Sequence, residues 1–203
     1  MGVPLPRLVA LSPGTLAPGG SGPFLAALAR ALAAGLPGLL LREPGLTDRA
    51  TLDLARELRA RCSAAGTWFA LHDRAHLAEE VAADAVHLSF RSLRPTELAW
   101  LPRTIARGLS THASDAAHEW EGADYLFHGP LHAVSGKPEP VGLAGMARAR
   151  ARSALPLLAL GGVQPADVPA LRSTGLHGVA VRAGILGAPD PAAATRAYLE
   201  ALA

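Results

Sequence analysis

Apolar residues in this chain cluster in short continuous runs, with little alternation between apolar and polar positions inside a run. Such runs, bounded by glycine, proline or charged residues, are typical of strands that are buried on both faces of a parallel sheet. The pattern predicts eight strands. They cover residues 7–11, 38–42, 67–72, 84–88, 104–109, 124–128, 157–161 and 178–181.

Amphipathic segments between most of these runs have the apolar spacing and the end signals of helices. Thr47 is a typical N-cap, and Gly66 is a typical residue just past a helix end. Leu54, Leu58 and Cys62 lie between them at helical spacing, which predicts an apolar face that buries the single cysteine. Two further helix starts and one helix end are predicted from proline or glycine, at Pro165, Pro191 and Gly175.

Alternating strands and helices in one chain predict an α/β fold in which the parallel sheet closes into a (β/α)8 TIM barrel. An open doubly wound sheet is the alternative that the strand count leaves open. No linker or low-complexity segment divides the chain, so we expect a single domain over 1–203. The segment 12–23 is predicted to be a long loop between the first strand and the first helix, and a helix is predicted near 95–100.

Composition and charge narrow the functional classes. Hydrophobic residues make up 50% of the chain and charged residues 18%, which is typical of a globular protein. The formal net charge is +2 and the basic residues are scattered, so neither a nucleic acid nor a membrane is an expected partner. No apolar stretch reaches membrane-spanning length, and the N-terminus lacks the pattern of a secretory signal. We therefore expect a cytoplasmic protein.

Polar and glycine residues follow most of the predicted strands, at the end of a TIM barrel where active sites lie. Gly161-Gly162 follows the seventh strand and Arg182-Ala183-Gly184 follows the eighth. The loops after these two strands commonly bind a phosphate in this fold, because glycine-rich turns expose backbone N–H groups. The alternative is that both segments are ordinary tight turns that bind no ligand. The residues predicted to bind phosphate are Gly161, Gly162, Arg182 and Ala183.

Eight short motifs occur in an order and a spacing that a chance match would rarely give. They are Leu40-Leu41-Arg42-Glu43, His72-Asp73-Arg74, Asp84-Ala85-Val86-His87-Leu88, Ser110-Thr111-His112, Gly122-Ala123-Asp124-Tyr125, Gly129-Pro130, Leu160-Gly161-Gly162-Val163 and Gly178-Val179-Ala180-Val181. Together they resemble the thiamine phosphate synthase/TenI superfamily along nearly the whole chain. The resemblance implies a TIM barrel and one of two activities on a phosphorylated thiazole, either thiamine phosphate synthesis or thiazole tautomerisation.

For a synthase, the resemblance implies magnesium on two aspartates, one after strand three and one after strand four. Asp73 stands at the first position. At the second, the family pattern His-Leu-Gly-Gln-x-Asp is replaced, so that Ser92 stands for the aspartate and Phe90 for the glutamine. The family lysine that follows Arg-Glu is Pro44. Of the two carboxylates that hold magnesium in the family, this chain has only that of Asp73. No metal cofactor is therefore predicted, unless the chain is a synthase.

The loop after strand six also departs from the family. The family run Gly-Pro-x-x-Pro-Thr-x-Thr-Lys has Val134 and Gly136 in place of both threonines. Lys137 keeps the family lysine and is the only lysine of an arginine-rich chain, which indicates that a compact ammonium group is needed there to bind an anion. An ordinary exposed loop lysine is the alternative.

These losses fall on the magnesium and pyrophosphate half of the family's site, which favours a metal-free, TenI-like thiazole tautomerase. Such an enzyme moves a proton and needs an acid/base group with a pKa near neutrality. TenI proteins place a histidine directly after the glycine that ends strand six, where this chain has Pro130. His132 is therefore the predicted acid/base and His112 the second choice. The residues predicted to line the substrate are Arg42, His72, Asp73, Ser110 and Lys137.

Two alternatives stay open at this point. A divergent thiamine phosphate synthase would tolerate the losses, would join a thiazole phosphate to a pyrimidine pyrophosphate and would use magnesium. A non-catalytic or regulatory protein would bind a small phosphorylated heterocycle and leave it unchanged. The expected partner is a thiazole phosphate in each case, and exposed apolar helix faces would allow a homodimer.

Overall fold

Eight parallel strands form the centre of the molecule, in a computed structural model that describes residues 4–89, 91–113 and 120–203. Each strand pairs with the next along the chain, and the last pairs with the first, so the sheet closes into a barrel. The closed (β/α)8 barrel that the sequence predicts is therefore confirmed, and the open sheet is excluded. The strands are β1 (Leu8–Leu11), β2 (Gly38–Leu41), β3 (Trp68–His72), β4 (Ala85–Leu88), β5 (Ala106–Thr111), β6 (Tyr125–His128), β7 (Leu157–Leu160) and β8 (Gly178–Val181).

Helices pack on the outside of the barrel and bury a second apolar layer against it. The α-helices are α1 (Gly22–Ala33), α2 (Asp48–Ala65), α3 (Ala75–Ala78), α4 (Gly142–Arg152), α5 (Val168–Ser173), α6 (Ala183–Leu186) and α7 (Pro191–Leu202). Short 3₁₀ helices cover Pro95–Leu98 and Pro165–Asp167. Among the described residues, no helix has both the length and the apolar content needed to cross a membrane.

Helix α2 shows how local signals set the element boundaries. The Thr47 hydroxyl accepts a hydrogen bond from the backbone N–H of Ala50 at 3.3 Å, which satisfies a free donor of the first turn. Gly66 ends the helix in the left-handed region at φ 67°, where a residue with a Cβ would be strained. Cys62 is fully buried on the apolar face, and this burial raises the pKa of its thiol to about 12. The predicted boundaries and the buried cysteine are confirmed.

The helix predicted near 95–100 is a 3₁₀ helix over Pro95–Leu98. The backbone N–H of Leu101 donates to the carbonyl of Leu98 at 3.0 Å, a three-residue step that continues the tight winding. The Glu97 carboxylate also accepts the N–H of Arg94 at 2.6 Å and closes the first turn. The segment between β4 and β5 therefore contains a short capped 3₁₀ turn where the sequence predicts a helix.

Strand β5 lies two residues later than the sequence predicts. The predicted span 104–109 begins inside a turn, because the N–H of Ile105 donates to the carbonyl of Pro102 at 3.0 Å. The strand therefore starts at Ala106 and continues past residue 109 to Thr111, which pairs with His128 of β6. The shift places residues 110 and 111 inside the sheet rather than in a loop.

Side chains along the strands alternate between the barrel interior and the layer under the helices, as the two-residue period of a strand requires. The interior is filled by apolar and aromatic residues that pack tightly on one another. These residues are Val9, Leu11, Leu40, Trp68, Ala70, Ala85, Tyr125, Phe127, Leu158 and Ala180. The barrel interior is therefore a packed core.

Candidate active site

A ring of polar residues lies at the carboxyl end of the barrel, directly beyond the apolar interior. The period of two puts a residue that lies two positions after an interior residue on the same inward face. Leu40, Ala70 and Ala180 are interior residues at the ends of β2, β3 and β8. The residues that this places at the mouth of the barrel are Arg42, His72 and Arg182.

The positive charges of two arginines at this mouth, Arg42 and Arg182, act on a lysine of another loop, Lys137. Partial burial lowers the pKa of Lys137, and the positive charges of Arg42 and Arg182 lower it further. Positive charges that lie near each other repel, and a bound anion reduces this repulsion. The structure therefore brings together three residues that the sequence assigned separately to phosphate or substrate, and their common field fits an anionic ligand.

The loop between β1 and α1 is tied to the end of β2 beside Arg42. The buried carboxylate of Glu43 accepts the backbone N–H groups of Gly14 and Leu16, each at 2.8 Å. The Ser12 hydroxyl accepts the backbone N–H of Arg42 at 2.7 Å. The long loop predicted at 12–23 spans residues 12–21 between the two elements. Glu43 thus positions the rim of the mouth, a role that the sequence analysis did not identify.

Asp73 is held in a fixed and unusual conformation after β3. Its φ is 58°, which is uncommon for a residue with a side chain. Its carboxylate accepts the backbone N–H of Ser89 at 2.7 Å and the Ser89 hydroxyl at 2.8 Å. Nδ1 of His72 lies 3.2 Å from the same carboxylate. Burial tends to raise the pKa of Asp73, but its bonds to His72 and Ser89 outweigh burial and hold the pKa well below its usual range.

The residues at this end of the barrel do not fit a magnesium ion held by two aspartates. Both carboxylate oxygens of Asp73 already accept hydrogen bonds from Ser89. Ser92 stands where the family has its second aspartate, and Phe90 lies outside the described residues. Among the described residues there is also no group of three or more histidine, cysteine, aspartate or glutamate side chains that could hold a metal ion. Magnesium prefers several oxygen ligands including carboxylates, and this donor set offers one carboxylate in use elsewhere.

His87 lies below the mouth, inside the barrel. Its ring is almost fully buried and stacks at a tilt on Phe127, with 4.1 Å between ring centres. Nε2 lies 2.9 Å from the Ser110 hydroxyl and Nδ1 lies 3.3 Å from the Tyr125 hydroxyl. Both ring nitrogens are therefore bonded within the protein. Ser110, a predicted substrate residue, is connected through His87 to the centre of the barrel.

The turn after β7 has the backbone shape expected of a phosphate loop. Gly161 and Gly162 have φ values of 94° and 72°, which glycine adopts without strain. Among the described residues, neither glycine donates its N–H to another backbone group. The carbonyl of Val163 accepts the Tyr198 hydroxyl at 2.7 Å, which fixes the end of the turn. After β8, helix α6 begins at Ala183, so its first N–H groups lie at the same end of the barrel.

His132 lies beside this turn, in the loop that follows β6. Its Nε2 is 2.9 Å from Oδ2 of Asp167, and its side chain is 51% exposed. A Cβ on Gly162 would lie 3.0 Å from the Cβ of His132, so the two loops are in close contact. His112 follows β5 and is half-buried. The structure thus places His132 against the predicted phosphate turn, and its role as acid/base stays a prediction, as does that of His112.

Comparison with known proteins places this architecture in a family. A family model described as thiamine monophosphate synthase matches residues 11–185. A thiamine-phosphate synthase from Salinispora arenicola (strain CNS-205) is 40% identical over 162 residues, which cover 77% of this chain and 78% of that protein. One from Synechococcus sp. (strain CC9605) is 40% identical over 161 residues, or 76% of this chain, and this chain spans only 46% of its length.

A solved structure agrees with the fold. Thiamine phosphate pyrophosphorylase from Pyrococcus furiosus superposes with a TM-score of 0.85, covering 97% of this chain and 95% of that chain. Sequence identity between the two is 23%, so this likeness concerns the barrel itself. With the family model matching most of the chain, the sequence resemblance is confirmed. The chain belongs to the thiamine monophosphate synthase/TenI family.

Proposed function

We propose that this protein is a thiamine phosphate synthase, which joins a thiazole phosphate to a pyrimidine pyrophosphate and releases inorganic pyrophosphate. The observation that carries the proposal is that Arg42 and Arg182, which the strand register puts at the barrel mouth, lie near enough to Lys137 for their charges to act on it. This reaction holds a phosphate and a pyrophosphate in one site, which together carry more negative charge than a single monophosphate. The names of relatives that are 40% identical support the synthase, the alternative that the sequence analysis placed second.

The three cations fit the charge that the reaction develops. As the new bond between the two heterocycles forms, the bond to pyrophosphate breaks and negative charge accumulates on the leaving group. Fixed positive groups at the mouth stabilise that charge without having to reorient, which is the largest contribution in many enzymes. Lys137 offers a compact point charge, and Arg42 and Arg182 offer planar forks that can bind two phosphate oxygens at once.

The thiazole phosphate is assigned to the backbone N–H groups of the turn after β7 and of the start of α6. The Gly161-Gly162 turn, whose N–H groups have no backbone acceptor among the described residues, and the start of α6 at Ala183 lie at the same end of the barrel. Such N–H groups grip a phosphate by hydrogen bonds that need no side-chain charge. The basic cluster is then left for the pyrophosphate. In this assignment the chain's own cations neutralise the pyrophosphate, since Asp73 and Ser92 do not supply a two-carboxylate magnesium site.

The test is release of inorganic pyrophosphate from the two substrates by the purified protein, followed with and without magnesium. Lys137→Ala should lower kcat/KM by roughly tenfold to a hundredfold, the effect of losing a hydrogen bond to a charged group. Arg103→Ala is the matched control, because Arg103 is an exposed residue before β5, at the other end of the barrel. Binding of thiazole phosphate without any pyrophosphate release would refute the synthase.

A second candidate is the metal-free thiazole tautomerase, and one observation favours it. His132 contacts Gly162 and is paired with Asp167 at 2.9 Å, an arrangement that orients an imidazole beside a bound phosphate. Under this hypothesis His132→Asn would lower tautomerase turnover by orders of magnitude while thiazole phosphate affinity changed little. Equal loss of turnover and affinity would contradict it. Binding without either reaction would leave a non-catalytic ligand-binding protein.

A further inference from the structure

Two interior residues connect the centre of the barrel to a hydroxyl at its mouth. The ring of His87 bridges the Tyr125 hydroxyl below it and the Ser110 hydroxyl above it, at 3.3 and 2.9 Å. All three side chains project into the barrel from neighbouring strands, β4, β5 and β6. We call Tyr125, His87 and Ser110 the interior chain. All three residues belong to motifs that carry the family resemblance, and the proposed reaction does not explain why a tyrosine should stand at the inner end.

Gly108 makes the position of the tyrosine possible. A Cβ at residue 108 would lie 2.1 Å from Cζ of Tyr125 and 2.4 Å from its hydroxyl oxygen, distances that no side chain could tolerate. The phenol therefore crosses β5 where the strand has no side chain. The edge of Trp68 packs on the Tyr125 ring, with 5.9 Å between ring centres. The hydroxyl is thus directed at His87 by packing on both sides.

The hydrogen positions in the interior chain follow from what each group can donate. Burial, with the charge of His72 acting in the same direction, lowers the pKa of His87 well below its usual value, so the ring is neutral and has one N–H. Burial raises the pKa of the Tyr125 hydroxyl, which therefore keeps its proton. Among the described residues, the only hydrogen-bond partner of that hydroxyl is Nδ1 of His87.

A buried hydroxyl proton needs an acceptor, so Tyr125 donates to Nδ1 and Nδ1 has no hydrogen. The single ring N–H is then on Nε2, which donates to the Ser110 oxygen. Because the Ser110 oxygen already accepts a hydrogen bond from His87, the Ser110 proton points away from His87, towards the mouth. Each group therefore donates to the next one outward, from Tyr125 to His87 to Ser110.

We propose that Tyr125 and His87 are positioning residues that fix the Ser110 hydroxyl as a hydrogen-bond donor to an acceptor atom of the bound substrate. The proposal rests on the proposed function, because it requires a small-molecule ligand at the mouth. It adds a specificity rule: the atom against Ser110 must be an oxygen or a nitrogen without hydrogen. An amine or ring N–H in that position would meet a donor and be rejected.

The first test reads the tautomer of His87 in the ligand-free protein by ¹⁵N NMR of histidine-labelled protein. The expected signal is that of a neutral ring protonated on Nε2. Tyr125→Phe removes the donor to Nδ1 with almost no change in shape, and should remove the bias between the two tautomers. A ring protonated on Nδ1 in the unaltered protein would overturn the proposal, whether or not any ligand binds.

The second test is a double-mutant cycle on ligand affinity, measured by calorimetry with thiazole phosphate and with the pyrimidine pyrophosphate. Tyr125→Phe and Ser110→Ala should each weaken binding of the same ligand by about fivefold, the effect of one neutral hydrogen bond. The double variant should bind no more weakly than Ser110→Ala, because Tyr125 acts only through Ser110. An additive further loss in the double variant, or unchanged affinity in both single variants, would refute the positioning role.

Thr67→Val is the control for loss of a buried hydroxyl. Thr67 donates to the Leu36 carbonyl at 2.8 Å just before β3, at the far end of the barrel, so its loss should affect stability and leave both affinities unchanged. If the unaltered protein bound neither ligand, the proposed function would fail and the donor role of Ser110 with it. The NMR result would then still decide the hydrogen positions in the interior chain, which separates the two failures.

Discussion

Replacing Glu43 with glutamine should loosen the β1–α1 loop and lower the stability of the barrel. The Glu43 side chain is 5% exposed, and its two oxygens accept the N–H groups of Gly14 and Leu16 at 2.8 Å each. Hydrogen bonds to a charged acceptor contribute about 1.5–3 kcal/mol each. Glutamine keeps one acceptor oxygen and turns an NH₂ group towards the other N–H, so the expected loss is about 2–3 kcal/mol.

Urea unfolding followed by circular dichroism measures this loss, and amide hydrogen exchange localises it. The exchange of the Gly14 and Leu16 amides should accelerate more than that of the strand amides. Glu57→Gln is the matched control, because Glu57 bonds Arg61 on an exposed helix surface and should change stability by less than about 0.5 kcal/mol. An unchanged unfolding midpoint, or unchanged protection of the two loop amides, would refute the role assigned to Glu43.

Three further predictions concern the rim of the mouth. The lowered pKa of Asp73 means that its carboxylate stabilises the fold above the usual aspartate pKa, and that this stability is lost as pH falls through the folded-state pKa. Asp73→Asn should therefore flatten the acid side of a plot of unfolding free energy against pH, and an unchanged slope would contradict this. Burial raises the pKa of Tyr198 to about 12, with the charge of Asp167 adding to the effect, so its hydroxyl donates to the Val163 carbonyl at every ordinary pH. Tyr198→Phe should weaken thiazole phosphate binding by roughly fivefold in calorimetry, and equal affinity would show that the turn holds its shape without the tyrosine. Gly162→Asp places a negative charge and a strained backbone at φ 72° in the predicted phosphate turn, so it should abolish thiazole phosphate binding. Retained affinity would show that the phosphate does not bind at this turn.

The strands were predictable because a closed barrel buries both faces of its sheet. Leu39, Leu40 and Leu41 are all nearly inaccessible, although successive side chains point in opposite directions. A continuous apolar run is the direct sequence consequence of that geometry. The prediction shifted at β5 because Ile105 is apolar and buried but belongs to a turn, and hydrophobicity alone does not distinguish the two.

The positions of the candidate site residues were predictable, and their partners were not. Residues that end strands lie at the mouth of any barrel, which identified Arg42, His72 and Arg182 from the sequence. The hydrogen bonds from Ser89 to Asp73 and from Tyr125 to His87 join residues 16 and 38 positions apart. Such contacts depend on how neighbouring strands are registered, and no local pattern in the sequence encodes that register.

The evidence for the two activities also depends on contacts between residues that are far apart in the sequence. From the sequence, Ser92 and Pro44 count as losses one position at a time, and they favoured the tautomerase. The effect of two arginines on Lys137, which lies in a different loop, can be read only from the three-dimensional structure. This influence and the names of the relatives are what support the proposed synthase.

The fit of Tyr125 over Gly108 also constrains how this protein can change over evolutionary time. Any side chain at 108 would collide with the phenol, and an aliphatic residue at 125 would leave the imidazole of His87 without its donor and open a void in the barrel. Single substitutions at these positions are therefore harmful, and only joint replacement is tolerable. Homologous chains should keep His87, Gly108 and Tyr125 together or exchange them together, so we expect positions 87, 108 and 125 to covary.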